Sequence, residues 1–355
     1  MNKGTPLITT IIPTYRRPGL LRRALRSVLN QTYPHVCACV YDNASGDETA
    51  AMVAEMAKQD PRIRYHCHAE SIGALRNFVY GQERVETPYY SFLSDDDVLL
   101  PNFYEDALRG FERFPEAWFS ALGAVFMRTR EGLGIEVPPE GWPEGLCRPP
   151  DSLRKMFKIS QPSWTAILFR KECIDRDGLL DLEAGYASDN DYVLRVAARH
   201  PVAVYRRPAV LRVVHLEAAG VQARLEDYFP GIIKMSRNLA GETTLDAPTR
   251  AYVAAAVNRM AKRRLLVDWG LRAVVAGRDE EARRSAEMLG DEFADGGRAR
   301  LVRAAAALHR AFPPLRRASS WGLEMRRDVL NAWRSTVVRK QRECFRTYAI
   351  HLDAA

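Results

Sequence analysis

The alternation of strand-like and helix-like segments along the first 100 residues is the feature that most constrains the fold of this chain. Four apolar segments are predicted to be buried strands: residues 7–15, 36–42, 62–67 and 89–93. Three amphipathic segments between them are predicted to be helices: residues 18–30, 47–58 and 72–84. Strands separated by helices of this length form parallel βαβ units with right-handed crossovers. We therefore predict an α/β fold built on a mostly parallel, Rossmann-like central sheet.

The character of the sequence changes twice beyond this segment. Residues 131–150 are rich in Pro and Gly and predict a long loop, whereas residues 163–170 predict a strand and residues 189–200 a helix. The sequence then becomes Ala- and Arg-rich with helical periodicity. We therefore predict an α/β domain of residues 1–228 and a basic α-helical C-terminal region of residues 229–355.

Composition narrows the class of protein. A chain of 355 residues with 47% hydrophobic content can bury a large core, yet no apolar run approaches the roughly 20 residues of a membrane-spanning helix. The first 15 residues lack the features of a signal peptide, and six cysteines in a chain of this length do not predict a disulfide framework. We expect a reduced, cytoplasmic protein.

The net charge of +8 comes from the C-terminal region. Residues 1–230 hold 28 Lys and Arg against 30 Asp and Glu, whereas residues 231–355 hold 24 against 14. Between Met325 and Tyr348 apolar residues recur at near-helical spacing with Arg between them. Such a helix can lie peripherally on an anionic membrane surface, cover the α/β domain or pair with another subunit of a homo-oligomer. Nucleic acid is not an expected partner, because the aromatic residues belong to the apolar stripe.

Three consecutive carboxylates, Asp95, Asp96 and Asp97, follow the fourth predicted strand. Two carboxylates about 4 Å apart repel by roughly 4 kcal/mol at an effective dielectric near 20, so this cluster needs solvent, basic side chains or a metal ion. Mg²⁺ or Mn²⁺ would take such oxygen ligands together with substrate phosphates. A solvated turn that caps the next helix is the structural alternative. In open parallel sheets ligands bind beyond the carboxyl ends of the strands, which is where this cluster lies.

Five motifs, in order along the chain, resemble the nucleotide-sugar-binding half of family 2 glycosyltransferases, which have the GT-A fold. They are IIPTYRR (11–17), SVLNQTYP (27–34), YDNASGDET (41–49), IGALRN (72–77) and FLSDDDVLLPN (92–102). The resemblance covers about residues 6–217. It implies a nucleotide-sugar half at about residues 6–130 and an acceptor half at about residues 131–228.

The resemblance also implies an activity. It points to an inverting, metal-dependent hexosyl- or deoxyhexosyltransferase that uses Mn²⁺ or Mg²⁺ and a UDP, dTDP or GDP sugar. The acceptor would be a glycan or a lipid-linked molecule in bacterial polysaccharide or other glycoconjugate biosynthesis. Two other classes stay open: a nucleotidyltransferase, although the chain lacks an early Gly-rich loop with a lysine, and a non-catalytic sugar-nucleotide-binding or scaffold protein.

The donor site implied by the resemblance lies at the predicted strand ends. Asp42 would contact the nucleobase. The other implied nucleotide-sugar contacts are Pro13, Thr14, Tyr15, Arg17, Asn43, Gly73, Arg76, Asn77, Ser94 and Asp95.

The metal ligands follow from the same resemblance. The acidic motif of the family often begins with Asp where this chain has Ser94, so Asp95 is expected at the ribose and Asp96 at the metal, with Asp97 as the alternative ligand. His215 matches a family position beside the metal or diphosphate, although the spacing Arg-Val-Val-His is one residue longer than usual. A structural histidine is the alternative.

The resemblance implies a general base just before a helix of the form E-D-x-D-x-x-x-R. Residues 186–197 (YASDNDYVLRVA) place Asp189 in the base position and Asp191 as the competing candidate. A carboxylate there takes the proton of the acceptor hydroxyl as the new bond to C1 forms. The structural alternative is that Ser188 and Asp189 cap the helix.

Trp164 lies where the family places aromatic residues on the acceptor side. It would either stack on a sugar ring or belong to the core.

Overall fold

The structure is a computed structural model that describes residues 7–128, 144–214, 224–312, 314–315 and 319. Within these residues one sheet is formed by β1 Ile8–Thr14, β2 Val36–Asp42, β3 Ile63–Cys67, β4 Tyr89–Phe92, β5 Val98–Leu99, β6 Phe119–Arg128, β7 Gly145–Cys147, β8 Ile167–Arg170 and β9 Val202–Val214. The helices that accompany it are α1 Pro18–Leu29, α2 Thr49–Gln59, α3 Ala74–Gln82, α4 Phe103–Arg113, α5 Asp151–Lys158, α6 Glu172–Asp177 and α7 Ser188–Arg199. Two 3₁₀ segments, Trp164–Ala166 and Leu182–Ala187, complete this part.

The sheet has the strand order β3-β2-β1-β4-β8-β6-β9-β5, and β7 pairs with β9. The first four strands are parallel, with β1 between β2 and β4. Strand β8 then runs antiparallel to β4 and β6, and β6 pairs in parallel with β9. The α/β fold with a mostly parallel central sheet is confirmed, and its parallel half is the half that the periodicity of the sequence predicts.

The apolar character of β1 and β2 follows from their position inside the sheet. Every residue of both strands is buried, as expected for parallel strands covered on both faces. Helix α1 begins with Pro18, which suits the first turn of a helix. Its buried residues Leu21, Leu25 and Val28 lie on one face and pack against the same core as β1.

A helical region follows the sheet. It consists of α8 Leu225–Ala240, α9 Ala247–Arg263, a π-helical segment Arg264–Leu271, α10 Arg272–Ala276, α11 Asp279–Asp291 and α12 Gly296–Ala311. Apolar residues of α8 and α7 belong to one continuous core. The predicted domain limit at residue 228 falls inside α8 and stays a prediction. Among the described residues, no helix is long and apolar enough to cross a membrane.

Three predictions of secondary structure need correction or lie outside the described residues. The predicted strand at 163–170 is a 3₁₀ turn up to Ala166 and a strand only from Ile167, so Trp164 does not lie on a strand. The part of the predicted loop 131–150 that is described contains β7. Residues 325–348, the predicted basic amphipathic helix, lie outside the described residues.

Helix α3 approaches β1 and β2 so closely that only glycine fits at Gly81. A Cβ atom there would lie 2.5 Å from Cγ2 of Ile11 and 2.7 Å from Cε2 of Tyr41. We predict that Gly81→Ala lowers the free energy of unfolding by about 1–3 kcal/mol, because α3 must move away from the sheet. Gly19→Ala is the matched control, since open space surrounds Gly19 in α1, and it should stabilise the protein by up to about 1 kcal/mol. Urea unfolding of both variants tests this, and equal stabilities would contradict it.

Candidate active site

The acidic cluster occupies a tight turn beyond β4, closed by a hydrogen bond from the Asp97 N–H to the Ser94 carbonyl oxygen of 3.0 Å. Asp95 is buried and accepts hydrogen bonds from the Thr14 hydroxyl at 2.8 Å and from Nη1 of Arg17 at 3.3 Å. Burial and the neighbouring Asp96 raise the pKa of Asp95 to about 6, while Arg17 and Thr14 oppose that shift. The turn therefore joins the end of β4 to the end of β1.

Asp96 and Asp97 point to different surroundings within this turn. Oδ2 of Asp96 lies 3.6 Å from Nη1 of Arg17. Asp97 is 2% exposed, and its Oδ1 accepts the Val213 N–H at 3.1 Å. Its Oδ2 accepts no hydrogen bond within the described part of the chain and lies 3.6 Å from Nε of Arg212. Burial raises the pKa of Asp97, and Arg212 opposes that shift.

The end of β2 lies next to the end of β1. Thr14 is in register with Asp42, so the hydroxyl that binds Asp95 and the carboxylate of Asp42 belong to adjacent strands. Asp42 is 1% exposed, and its two carboxylate oxygens accept hydrogen bonds from the Tyr65 hydroxyl at 2.7 Å and from the Ser45 N–H at 2.9 Å. Each oxygen retains a second lone pair, so Asp42 can accept a further donor on either oxygen.

The turn after β1 is held against the turn after β2. The N–H of Arg16 donates to the Ser45 hydroxyl at 2.8 Å, and its Nε donates to the Ser45 carbonyl oxygen at 3.1 Å. Arg16 has a φ of +54°, which a residue without a β-branch tolerates in a turn. Tyr15 is 43% exposed, whereas Pro13 is buried within β1. Of the two, Tyr15 is the residue that can meet a ligand directly.

Two amides of the predicted donor site connect segments of the backbone. Asn43 accepts the Ile72 N–H at 2.7 Å and donates to the Ser71 hydroxyl at 2.9 Å. Asn77, which is buried in α3, donates to the Tyr41 carbonyl oxygen at 2.7 Å. The loop between β3 and α3 is thereby fixed beside the end of β2.

Gly73 and Arg76 lie at the start of α3. Gly73 precedes the helix with a φ of +85°, a conformation that favours glycine. Arg76 is exposed in the first turn of α3. Its charge is therefore available beside the end of β2, whereas the neighbouring Asn77 is engaged within the protein.

The two candidate bases have different surroundings. Asp189 is partly exposed in the first turn of α7, and its Oδ1 accepts hydrogen bonds from the backbone and the side chain of Asn190 at 2.7 and 2.9 Å. Burial raises the pKa of Asp189, and the charges of Arg212 and Arg264 oppose that shift. Because Arg212 also lies beside Asp97, one arginine of β9 links the acidic turn to Asp189 electrostatically.

Asp191 is completely buried. It forms an ion pair with Nε of Arg195 at 2.7 Å and accepts a hydrogen bond from Nδ2 of Asn238 at 2.9 Å. Arg195 also donates to the carbonyl oxygens of Asp177 at 2.8 Å and Leu179 at 2.9 Å. Asp191 therefore fixes the segment before α7 and has no access to an acceptor.

Trp164 packs against aromatic residues of the sheet. Its ring stacks on Phe92 with a centroid distance of 4.7 Å and contacts Phe78 at 4.6 Å. Phe92 is the last residue of β4, so Trp164 lies beneath the acidic turn. His215 lies outside the described residues.

A cleft of about 590 Å³ lies between α3 and the sheet, and Tyr65, the hydrogen-bond partner of Asp42, is one of its lining residues. Cys37, Cys39, Arg64, His66 and Arg84 are among its lining residues, and no predicted site residue lines it. The sulfur atoms of Cys37 and Cys39 are 3.4 Å apart and both thiols are free.

Three contributors to the site were missed from the sequence: Tyr65, Asn238 and Arg264. They carried no local signal, since each acts on a partner at least 20 residues away. Arg212 was noticed only as the first residue of the Arg-Val-Val-His stretch and was given no role of its own.

Comparison with known proteins identifies the family. Residues 9–177 match the model of glycosyl transferase family 2. This part of the chain belongs to that family. The β-1,3-glucosyltransferase of Campylobacter jejuni that acts on GalNAc(5)-diNAcBac-PP-undecaprenol is 33% identical over 137 residues, which are 38% of this chain and 43% of that protein. An uncharacterized protein of Mycobacterium tuberculosis is 31% identical over 220 residues, covering 57% of this chain and 65% of that protein.

The chain thus spans less than half of the Campylobacter relative. Among solved structures, S. aureus TarS 1–349 in complex with UDP-GlcNAc has a TM-score of 0.63 and 14% identity, covering 84% of this chain and 88% of that chain. At this identity the likeness establishes the fold alone. It confirms the predicted GT-A fold.

The neighbours Arg76 and Asn77 provide a test of which donor-site residues are structural. We predict that Asn77→Ala lowers the free energy of unfolding by about 1–3 kcal/mol, because the buried Tyr41 carbonyl oxygen loses its side-chain donor. Arg76→Ala should change the stability by less than about 0.5 kcal/mol, because the side chain is exposed. Chemical denaturation of both variants measures the difference, and a stable Asn77→Ala variant would refute the structural role.

Proposed function

We propose that this protein transfers a sugar from a nucleoside-diphosphate sugar to an acceptor hydroxyl with inversion at the anomeric carbon. The observation that carries the proposal is the acidic turn of Asp95, Asp96 and Asp97, which a family 2 domain holds beside the ends of β1 and β2. Ligands of open α/β sheets bind at this edge. TarS has been crystallised with UDP and with UDP-GlcNAc, which favours a UDP sugar as the donor here.

The donor would bind along the ends of β1, β2 and β4. Asp42 would accept a nucleobase N–H, with its carboxylate oriented by Tyr65 and Ser45. Tyr15 would line the same pocket. Asp95, oriented by Thr14, would accept a ribose hydroxyl.

The diphosphate would lie next to the ribose in this arrangement. Arg17 and Arg76 would attract its negative charge, and Gly73 would let the backbone approach it. Asn43 would support the pocket by holding the loop at Ser71.

The acidic turn fits a divalent cation. Within the described residues, Oδ2 of Asp97 is a buried carboxylate oxygen that accepts no hydrogen bond and lies 3.6 Å from Nε of Arg212. A hard cation satisfies an oxygen of this kind. Asp96 and Asp97 would hold Mn²⁺ or Mg²⁺, and substrate phosphates would complete the ligand set, since no group of three or more His, Cys, Asp or Glu within the described residues is arranged to hold a metal. A bound cation would stabilise negative charge on the leaving diphosphate.

Asp189 is the general base of the proposed reaction. It is partly exposed at the start of α7, whereas Asp191 is buried and paired. Asp189 would take the proton of the acceptor hydroxyl while the hydroxyl oxygen attacks C1 and the bond from C1 to the diphosphate breaks. Direct displacement of this kind inverts the anomeric centre. A glycan or lipid-linked acceptor would suit the reaction, as in the Campylobacter relative.

The donor and the cation should stabilise the protein together. We predict that UDP with Mn²⁺ raises the melting temperature, because a ligand at about 100 times its Kd adds about 2.7 kcal/mol to the free energy of unfolding. GDP, dTDP and CMP serve as alternative probes. Asp96→Ala should abolish the effect, whereas Asp175→Ala, an exposed Asp in α6, should keep it. If no nucleotide stabilises the protein, the donor site is wrong and a scaffold role replaces it.

Substitution of Asp189 should lower the turnover rate and leave the affinity for the donor nucleotide unchanged. We predict that Asp189→Asn slows release of UDP from UDP-GlcNAc by about 10²–10⁴-fold and leaves the Kd of UDP unchanged. Because the base acts only when deprotonated and burial raises the pKa of Asp189, the acid limb of kcat should lie above the ordinary Asp value near 3.9. A coupled assay of UDP release measures both effects. Full turnover by Asp189→Asn would exclude this residue as the base.

A further inference from the structure

Helix α8 of the helical region is in direct backbone contact with the segment that precedes Asp189. A Cβ atom on Gly231 would lie 2.1 Å from the Ala184 carbonyl oxygen and 3.5 Å from the Ala187 nitrogen. Any side chain at position 231 would therefore push the 3₁₀ segment Leu182–Ala187 away from the helix. Because α7 follows this segment directly, the contact lies at the N-terminal end of the helix that bears Asp189.

One side chain of α8 binds a residue before this segment and a residue after it. Nδ2 of Asn238 donates to Oδ2 of Asp181 at 2.8 Å and to Oδ1 of Asp191 at 2.9 Å. Asp181 in turn caps the 3₁₀ segment by accepting the Glu183 N–H at 2.9 Å. A single amide therefore links Asp181, just before the 3₁₀ segment, to Asp191 in the first turn of α7, which also carries Asp189.

The same hydrogen-bond network reaches the residues that precede the 3₁₀ segment. Asp191 is bound by Arg195, which also donates to the carbonyl oxygens of Asp177 and Leu179. Lys234 of α8 lies 3.6 Å from Asp181. Because Asp181 and Asp191 are both carboxylates, removal of the amide between them leaves two like charges facing each other.

We propose that α8 positions Asp189 and that Asn238 is the positioning residue, so that the helical region forms part of the active centre. This inference rests on the proposed function, because it concerns the base of that reaction. The network orients the first turn of α7 and thereby the carboxylate of Asp189 relative to the acidic turn. Gly231 contributes by allowing the backbone of α8 to reach the loop.

A second residue of the same region acts on the charge of Asp189. Arg264 of the π-helical segment donates to the Tyr228 hydroxyl, which belongs to α8. Its charge and that of Arg212 on β9 both favour the ionised form of Asp189. The backbone N–H of Asn190 favours it as well.

The test compares Asn238→Ala with Arg237→Ala, its exposed neighbour on α8, in the full chain. We expect Asn238→Ala to lower kcat for UDP release from UDP-GlcNAc by about 10- to 100-fold and to leave the Kd of UDP unchanged, because only the base is displaced. Arg237→Ala should behave like the unmodified protein.

Amide hydrogen exchange is a second readout that needs no turnover, so it can be used even where water hydrolyses UDP-GlcNAc too slowly to measure. Asn238→Ala should accelerate exchange in residues 182–190 and leave β1, β2 and β4 protected. Normal turnover, or unchanged exchange in this segment, would overturn the inference. An inactive Asp189→Asn variant beside a fully active Asn238→Ala variant would refute the positioning role alone. An active Asp189→Asn variant would refute the proposed base instead.

Discussion

The arrangement of this protein depends on how it holds three adjacent carboxylates at the end of β4. Asp95 and Asp97 are buried, so their ionised forms are destabilised, and Asp96 between them adds repulsion. Among the described residues, Arg17 contacts Asp95 and Asp96, Arg212 lies beside Asp97, and Arg23 donates to the Asp96 carbonyl oxygen, which offsets this cost in part. Because burial keeps the pKa values of Asp95 and Asp97 raised, a cation would meet unbalanced negative charge here, and we therefore propose a binding site at this turn rather than a solvated loop.

The parallel half of the sheet converts this local demand into a site of defined geometry. Because β1 is paired with both β2 and β4, the ends of all three strands are held about 4.8 Å apart from one neighbour to the next. Thr14, at the end of the central strand, binds Asp95 on one side and is in register with Asp42 on the other. A nucleotide with a base, a ribose and a diphosphate can contact all three ends at once.

Elements that local interactions determine could be predicted from the sequence, whereas elements that depend on residues distant along the chain could not. Strands β1 to β4 and helix α1 were predicted because a parallel sheet buried on both faces leaves a local apolar pattern in the sequence. Strands β6 and β9 were not, because they lie in the mixed half, where antiparallel neighbours and register shifts replace that pattern. Asp42 and the acidic turn were found through motifs, whereas Asn238 binds residues 47 and 57 positions away and has no local signature.

The distinction between Asp189 and Asp191 shows what helical geometry alone can decide. Residues two positions apart in an α-helix point about 200° apart, so the two carboxylates cannot face the same surroundings. Asp191 is four residues before Arg195, the spacing at which opposite charges meet along a helix, and the structure has this pair buried at 2.7 Å. Breaking a buried pair is costly because it leaves an uncompensated charge, so Asp191 is committed to holding the chain. That commitment supports the proposal that Asp189, on the other side of the same turn, is the carboxylate that exchanges a proton with the substrate.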